Sequence, residues 1–328
     1  MNDLLKKGYD VLDRLFAQKK AALSSYRCCI DINHEEILLS YGVQKTNTLE
    51  FQGCDTIAYQ SNQLPQALAS IVQRYSLKQA SCTWILRPDY YQLLSIDALL
   101  VPPEEMREAL YWKIKPLIQF PMDRAVYDYF LLPPPKTAST LNLMTVVVAD
   151  RLYLKPMAHL IQKSGLVLNS INIPELVLKK NASLYEEGEK SAALIYLQDQ
   201  ITYLIITHNQ TLYMSRQLEL NLKTLQPKDA NFNEQMDKFA LELQRSFDYF
   251  QARFRLPPPA HCLIASSYAS ATDISHVLLQ RLPIHIDVLD VNAALKSRRH
   301  LSIEEQGKYL TVLSEMLKGK IEIYATAD

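Results

Sequence analysis

Residues 28–42, CCIDINHEEILLSYG, run from an apolar stretch through a short polar turn into a second apolar stretch, a pattern that predicts a β-hairpin. Many nucleotide-binding folds carry Asp-x-Gly at such a turn. The aspartate handles the metal side of a triphosphate, and the glycine lets backbone N–H groups close on phosphate. Here Asp31 is present, but Asn33 stands where the glycine would be. The hairpin is either a phosphate turn with one residue changed or only the shape of one.

Outward from this hairpin, YRCCIDI, EEILLSYGV and TLEF within residues 26–51 predict three strands. A helix over 64–76 with Pro65 in its first turn follows, then the strand ASCTWILRP, so residues 26–88 form a first β-β-β-α-β subdomain. Residues 1–25 place Leu4-Leu5, Val11-Leu12 and Leu15-Phe16 on one stripe among Lys6, Lys7, Arg14, Lys19 and Lys20. They predict an amphipathic helix that packs on the body, or that docks through residues 1–20 on a membrane surface or partner.

Residues 89–165 change rhythm to β-α-β-β-α-β, the order of a split βαβ sandwich and of a size to be an inserted subdomain, with Pro133-Pro134-Pro135 as a rigid hairpin turn. Residues 166–328 open with a strand over 166–172. The runs SAALIYLQ, ITYLIITH and TLYMSRQLEL then turn at Asp199-Gln200 and Asn209-Gln210. A helix over 233–254, the strand HCLIA, a helix over 271–281, the strand IHIDVL and a last helix over 303–318 complete it. Both halves begin with a three-strand run followed by helix and strand, which predicts a duplicated α/β fold.

Composition narrows the function. Thirty-five Lys and Arg balance 35 Asp and Glu, so the basic excess that general nucleic-acid binding needs is absent. Apolar residues make up 48% without any run of membrane-spanning length, and the first residues lack a secretory signal's apolar block, so a cytoplasmic protein is expected. Cys28, Cys29, Cys54, Cys82 and Cys262 form no C-x-x-C pair and read as reduced core thiols. The seven glycines include no G-x-G or G-x-x-G, which removes the Rossmann, Walker and kinase readings. No H-E-x-x-H or Cys/His spacing occurs, so the seven histidines read as structural or surface residues and no metal site is expected. GEKS at 188–191 lacks the upstream glycine of a Walker motif, and no Gly-x-Ser-x-Gly elbow exists. No catalytic residue emerges.

On the helix at 104–119, Met106, Ala109, Leu110, Lys113, Leu117 and Phe120 share a side that reads as core, with Trp112 elsewhere. Trp112 with Tyr127, Tyr129 and Phe130 offers either core packing or the wall of a groove that captures a short peptide.

Four phrases in order carry a resemblance to a known family: EALYWKIKPLIQFPMDRAVYDYF (108–130), SINIPELVLKKN (170–181), LELQRSFDYFQARF (241–254) and the strand–helix stretch from HCLIASS onward (261–291). Together they resemble the cytoplasmic PilM-like, actin-like proteins of type IV pilus assembly, in particular the MSHA pilus biogenesis branch, MshI. The resemblance spans about residues 26–295. It implies an α/β actin/FtsA-like two-lobed fold carrying the inserted subdomain. It also implies a role peripheral to the inner membrane, holding the cytoplasmic N-terminal tail of a bitopic pilus assembly protein and linking it to assembly ATPases. The related type II secretion platform uses a similar module.

The resemblance further implies an ATP and magnesium site, and this chain departs from it at each turn. Asp31-Ile32-Asn33 replaces Asp-Ile-Gly. Tyr196-Leu197-Gln198 replaces the second Asp-x-Gly, with Asp199 next door but out of register. Ser266-Ser267 replaces the adenosine-side Gly-Gly. Asn33 is expected to be the mildest change because asparagine tolerates the left-handed region. The helical insert of the second lobe shrinks to residues 218–235. A degenerate actin-like ATPase without a cofactor is the expectation, against a nucleotide switch that uses Asp31.

Overall fold

The computed structural model describes residues 24–46, 48–132, 143–220, 231–267, 271–295 and 299–317. The N-terminal helix expectation, the Pro133–Pro135 turn and most of the shortened 218–235 insert lie outside these residues. The described residues divide into two compact units, one from the ranges 24–49 and 54–173 and the other from 50–53 and 174–317.

The first sheet comprises β1 (Tyr26–Ile32), β2 (Glu36–Lys45), β3 (Thr48–Ala58), β4 (Ser81–Ile85) and β8 (Val167–Asn172), in the order β3-β2-β1-β4-β8. β1 runs antiparallel to β2 and parallel to β4, and β4 runs parallel to β8. The last five residues of β1 are all buried, as a strand covered on both faces requires. Helix α1 (Leu64–Arg74) buries Leu64, Ala67, Leu68, Ile71 and Val72, a one-face stripe at helical spacing.

The inserted sheet is three-stranded and antiparallel, β5-β7-β6, from β5 (Tyr91–Asp97), β6 (Ala125–Leu131) and β7 (Leu143–Asp150). Helix α2 (Pro103–Ile114) covers it with Met106, Leu110 and Ile114 against Ile96, Met144, Val146 and Val148. The expected side through Lys113 and Leu117 is corrected, since Pro116 lacks the N–H to continue the helix and Leu117 is exposed. A second correction concerns the split βαβ reading. The element order is as expected, but its last strand, β8, joins β4 of the first sheet, and α3 (Arg151–Lys163) is the crossover back to it. The boundary between units accordingly falls after Ile173, not at 165.

Asp150 starts α3 by accepting from Leu152 N at 2.8 Å while its carboxylate takes both Nε and Nη2 of Arg124. Burial alone would raise its pKa, but the Arg124 guanidinium and the Leu152 N–H together hold it below the usual carboxylate value. A lowered folded pKa stabilises above the unfolded value near ~4 and is lost as pH falls through the folded one. Asp150→Ala is therefore expected to cost about 1 kcal/mol at neutral pH. The cost should shrink below about pH 4 in acid-dependent denaturation curves, and a pH-independent difference would refute the ion-pair contribution.

The second unit holds β9 (Ala192–Leu197), β10 (Thr202–His208), β11 (Thr211–Leu218), β12 (His261–Ser266) and β13 (His285–Val288), in the order β11-β10-β9-β12-β13. β9 is antiparallel to β10 and parallel to β12, and β12 is parallel to β13. Strand order and these senses repeat those of the first sheet, so the duplication read from sequence is present. Helix α5 (Phe232–Phe254) buries Met236, Phe239, Leu243, Phe247 and Phe250 along one face.

Helix α4 (Pro174–Ser183) occupies a stretch the sequence left as a connection. After α6 (Ala271–Leu279) and the short α7 (Asn292–Leu295), the expected single helix over 303–318 is two: α8 (Ile303–Lys308) and α9 (Leu310–Met316), parted at Tyr309. α9 docks on α4 through Lys180 Nζ–Glu315 Oε2 at 2.8 Å and the buried Asn181 amide donating to Ser314 Oγ. Four of the five cysteines are buried and all are free thiols, and burial pushes Cys262 up to about 12.

Candidate functional site

Asp31 is the penultimate residue of β1, 6% exposed, and in register with Leu38 of β2 and Ile85 of β4. The turn beyond it does not behave as a glycine turn with one residue changed. Asn33 is absent from the left-handed region, which the described chain uses at Ser76, Gln79, Asn209, Gln210 and Arg255 among non-glycine residues. That corrects the sequence expectation. Asn33 Oδ1 instead accepts from Glu35 N at 2.8 Å and from Glu36 N at 2.7 Å, while Asn33 N donates to Glu36 O at 3.0 Å. The asparagine folds its own side chain into an Asx-type turn. Consecutive N–H groups, the feature a phosphate turn offers an anion, are thereby occupied from within. Tyr59, the residue after β3, closes the turn, its hydroxyl donating to Asn33 O and its N–H donating to Glu35 O at 2.7 Å.

In the second unit, the positions aligned with the second acidic turn and the adenosine side come together at the C-terminal ends of two adjacent strands. Ala265 pairs with Tyr196, and Ser266 with Leu197. Tyr196 is 1% exposed; its hydroxyl donates to Gly307 O at 2.9 Å and accepts from Gln198 Nε2 at 3.0 Å. Gln198 N donates to Ile201 O at 3.0 Å, so the Asp199-Gln200 turn is an ordinary hairpin turn with Asp199 exposed to solvent. Asp199 does not supply the missing carboxylate.

α8 lies directly on the serines. A Cβ built on Gly307 would overlap the Ser266 carbonyl group and sit 2.6 Å from Ser267 N. Only a residue without a side chain permits this approach. The seat is fixed from several sides. Ser302 and Glu305 form a capping box at 3.2 Å and 3.0 Å, and the buried Gln306 accepts from Val291 N at 2.7 Å and donates to Leu301 O at 3.1 Å. The space that would otherwise adjoin the Ser266-Ser267 backbone is filled by the chain itself. Ser-x-x-Glu at 302–305 marks the start of α8 in the sequence, but the role of Gly307 depends on a strand distant in the chain and has no local signal.

The aromatic candidates are not on one surface. Tyr127 and Tyr129 pair across β7 with Val148 and Val146, on the face that α2 covers, and Tyr127 Oη donates to Arg107 O at 3.0 Å. Phe130, one residue on, faces the other way and is buried. Trp112 stands two residues from the core position Leu110, on the outer side of α2, 55% exposed; Tyr111 meets its ring edge-on at 5.2 Å and Lys115 Nζ lies 5.2 Å from its centroid. Of the four, Trp112 alone is exposed.

No family model matches the chain, and no curated protein does. Among solved structures, it is similar to a PilM-PilN type IV pilus biogenesis complex at 16% identity, covering 89% of this chain and 97% of that one with a TM-score of 0.69. It is also similar to a Bacteroides thetaiotaomicron protein with an actin-like ATPase fold at 8% identity, covering 83% and 95% with a TM-score of 0.50. Among the described residues, no helix is long and apolar enough to cross a membrane. With its strand order repeated in two units and these likenesses over most of its length, the chain has the actin-like ATPase fold.

Proposed function

We propose that the chain is a non-catalytic scaffold of a type IV pilus assembly machine of the MSHA kind. It works at the cytoplasmic side of the inner membrane and holds the cytoplasmic tail of a bitopic assembly protein. The observation that carries the non-catalytic part is the seat of Gly307 against Ser266 and Ser267, reinforced by the self-occupied turn at Asn33. The pilus part is supported by the four sequence phrases and by the fold likeness to a protein solved in a PilM-PilN complex, which makes a partner protein the favoured ligand class. Trp112 is the residue we assign as anchor for the tail. Contact of residues 1–20 with the membrane belongs to the same reading.

A second reading, a nucleotide switch, is favoured by one observation: Asp31 is retained and buried at the end of β1. Calorimetry of the whole chain with ATP and magnesium, run beside capture on peptides from the cytoplasmic tails of bitopic inner-membrane proteins, separates the two. The scaffold reading expects no saturable heat with ATP and capture by one tail peptide that Trp112→Ala weakens at least about tenfold. Micromolar ATP affinity that Asp31→Ala abolishes would overturn it.

A further inference from the structure

Sequence spacing alone gave the histidines no metal role, but the register of two parallel strands assembles one group of them. His261 and His285 are paired residues at the starts of β12 and β13, and Leu263 pairs with Asp287. Paired residues on adjacent strands share a face, and so do residues two apart on one strand. His261, His285 and Asp287 therefore project together at an edge of the second sheet. His261 Nε2 and His285 Nε2 each lie 2.8 Å from the same carboxylate oxygen, Asp287 Oδ2, and the two rings are 4.7 Å apart. One ligand atom from each residue falls within 4.8 Å of the other two.

We propose that His261, His285 and Asp287 form a binding site for a divalent transition-metal ion of the zinc class, with its remaining coordination positions open. The donor set is two imidazole nitrogens and one carboxylate oxygen, which suits zinc and disfavours magnesium or calcium, whose sites are built from oxygen. Zinc bonds of about 2.0–2.2 Å in a tetrahedron put donor atoms roughly 3.3 Å apart, so the present spacings need only small side-chain rotations. The support is graded. The side chain of His261 is 15% exposed, with the Tyr185 ring edge-on to it at 5.6 Å, whereas those of His285 and Asp287 are 65% and 48% exposed. One ligand is held by packing and two can close on an arriving ion. Tyr185 is itself tied down, its hydroxyl donating to Asp290 O at 3.0 Å. His285 also forms part of the wall of an open groove of about 640 Å³ with Pro257, Pro258, Leu282 and Pro283, which leaves room beside the ion for a donor from outside.

The site is independent of the scaffold reading and of nucleotide binding. It is tested on the whole chain after chelator treatment, by titrating zinc against a chromophoric competitor and recording the visible spectrum of the cobalt(II) form. Expected are one zinc per chain at micromolar affinity or tighter and a cobalt spectrum without thiolate charge transfer. Binding should weaken at least about tenfold in H285A and in D287N, whose circular dichroism and melting in chelator match the parent. No saturable binding, thiolate charge transfer from a cysteine, or affinity unchanged in the H285A/D287N double variant would each overturn the proposal. The double variant also covers the case in which the three side chains merely hydrogen-bond to one another, because that arrangement predicts no zinc dependence at all.

Discussion

Gly307→Ala is expected to destabilise the second unit by about 3 kcal/mol or more, at or beyond the upper end of the overpacking range. The added methyl would meet the Ser266 carbonyl group and Ser267 N, which are backbone atoms of the last residue of β12 and the one after it, and not the flexible end of a side chain. β12 is a central strand with β9 on one side and β13 on the other, so it cannot shift to make room without breaking a ladder. The alternative relief is withdrawal of α8. That costs the Tyr196 hydroxyl its acceptor at Gly307 O and strips the partners from the buried Gln306 side chain. Gly188→Ala is the control. Gly188 has φ of +62° with nothing within 4 Å of a built Cβ, so alanine there meets only left-handed strain of roughly 1–2 kcal/mol. Denaturant midpoints of the two variants decide between close approach and backbone strain. A Gly307→Ala loss no larger than that of Gly188→Ala would remove the account of a filled site. If the Gly307 variant stays folded and hydrogen exchange shows α8 alone released, the Ser266-Ser267 backbone becomes accessible, and nucleotide binding can be measured with the obstruction gone.

The parts legible in the sequence share a property: their signal is local. The three-strand runs at 26–51 and 191–220 show their apolar segments and turns directly, and their repetition gave the duplicated architecture. Which sheet a strand joins is not local. VLNSIN at 167–172 carries no mark of pairing with β4, which lies a whole inserted subdomain earlier in the sequence, so its place in the first sheet is set only by the fold.

The same limit hid the site. Residue type speaks for the backbone tolerance of Asn33, whereas the structure uses its side-chain oxygen. Gly307 was one glycine among seven, and only its approach to a strand distant in sequence gives it a role. His261 and His285 lie 24 positions apart, beyond any ligand-spacing rule, and become neighbours only through strand register. Helix α4 is a different case. Pro174 in its first turn followed by Glu175 is a local start signal that the sequence does carry.

Asn33→Ala is expected to lower the stability of the first unit by about 1–2 kcal/mol, and Asn33→Gly by slightly more because the turn also gains unfolded-state freedom. Two N–H groups, those of Glu35 and Glu36, lose the acceptor at 2.8 Å and 2.7 Å that the side chain supplies. The Asn33 carbonyl keeps its contact with the Tyr59 hydroxyl, and Asn33 N keeps Glu36 O, which limits the loss to the side chain's own share. Asn33→Gly has a second use, because it restores Asp-Ile-Gly and leaves both N–H groups open to an anion. If the substitution at residue 33 were the sole defect, ATP affinity should appear in this variant. We expect none. The resemblance asks for a second acidic turn, and Tyr196-Leu197-Gln198 brings a buried phenol and an amide already committed to each other and to Gly307. A stability loss with no gained affinity means that Asn33 serves the hairpin. Micromolar ATP binding by Asn33→Gly, abolished again by Asp31→Ala, would mean that the first turn is a masked phosphate site and would return the chain to the nucleotide switches.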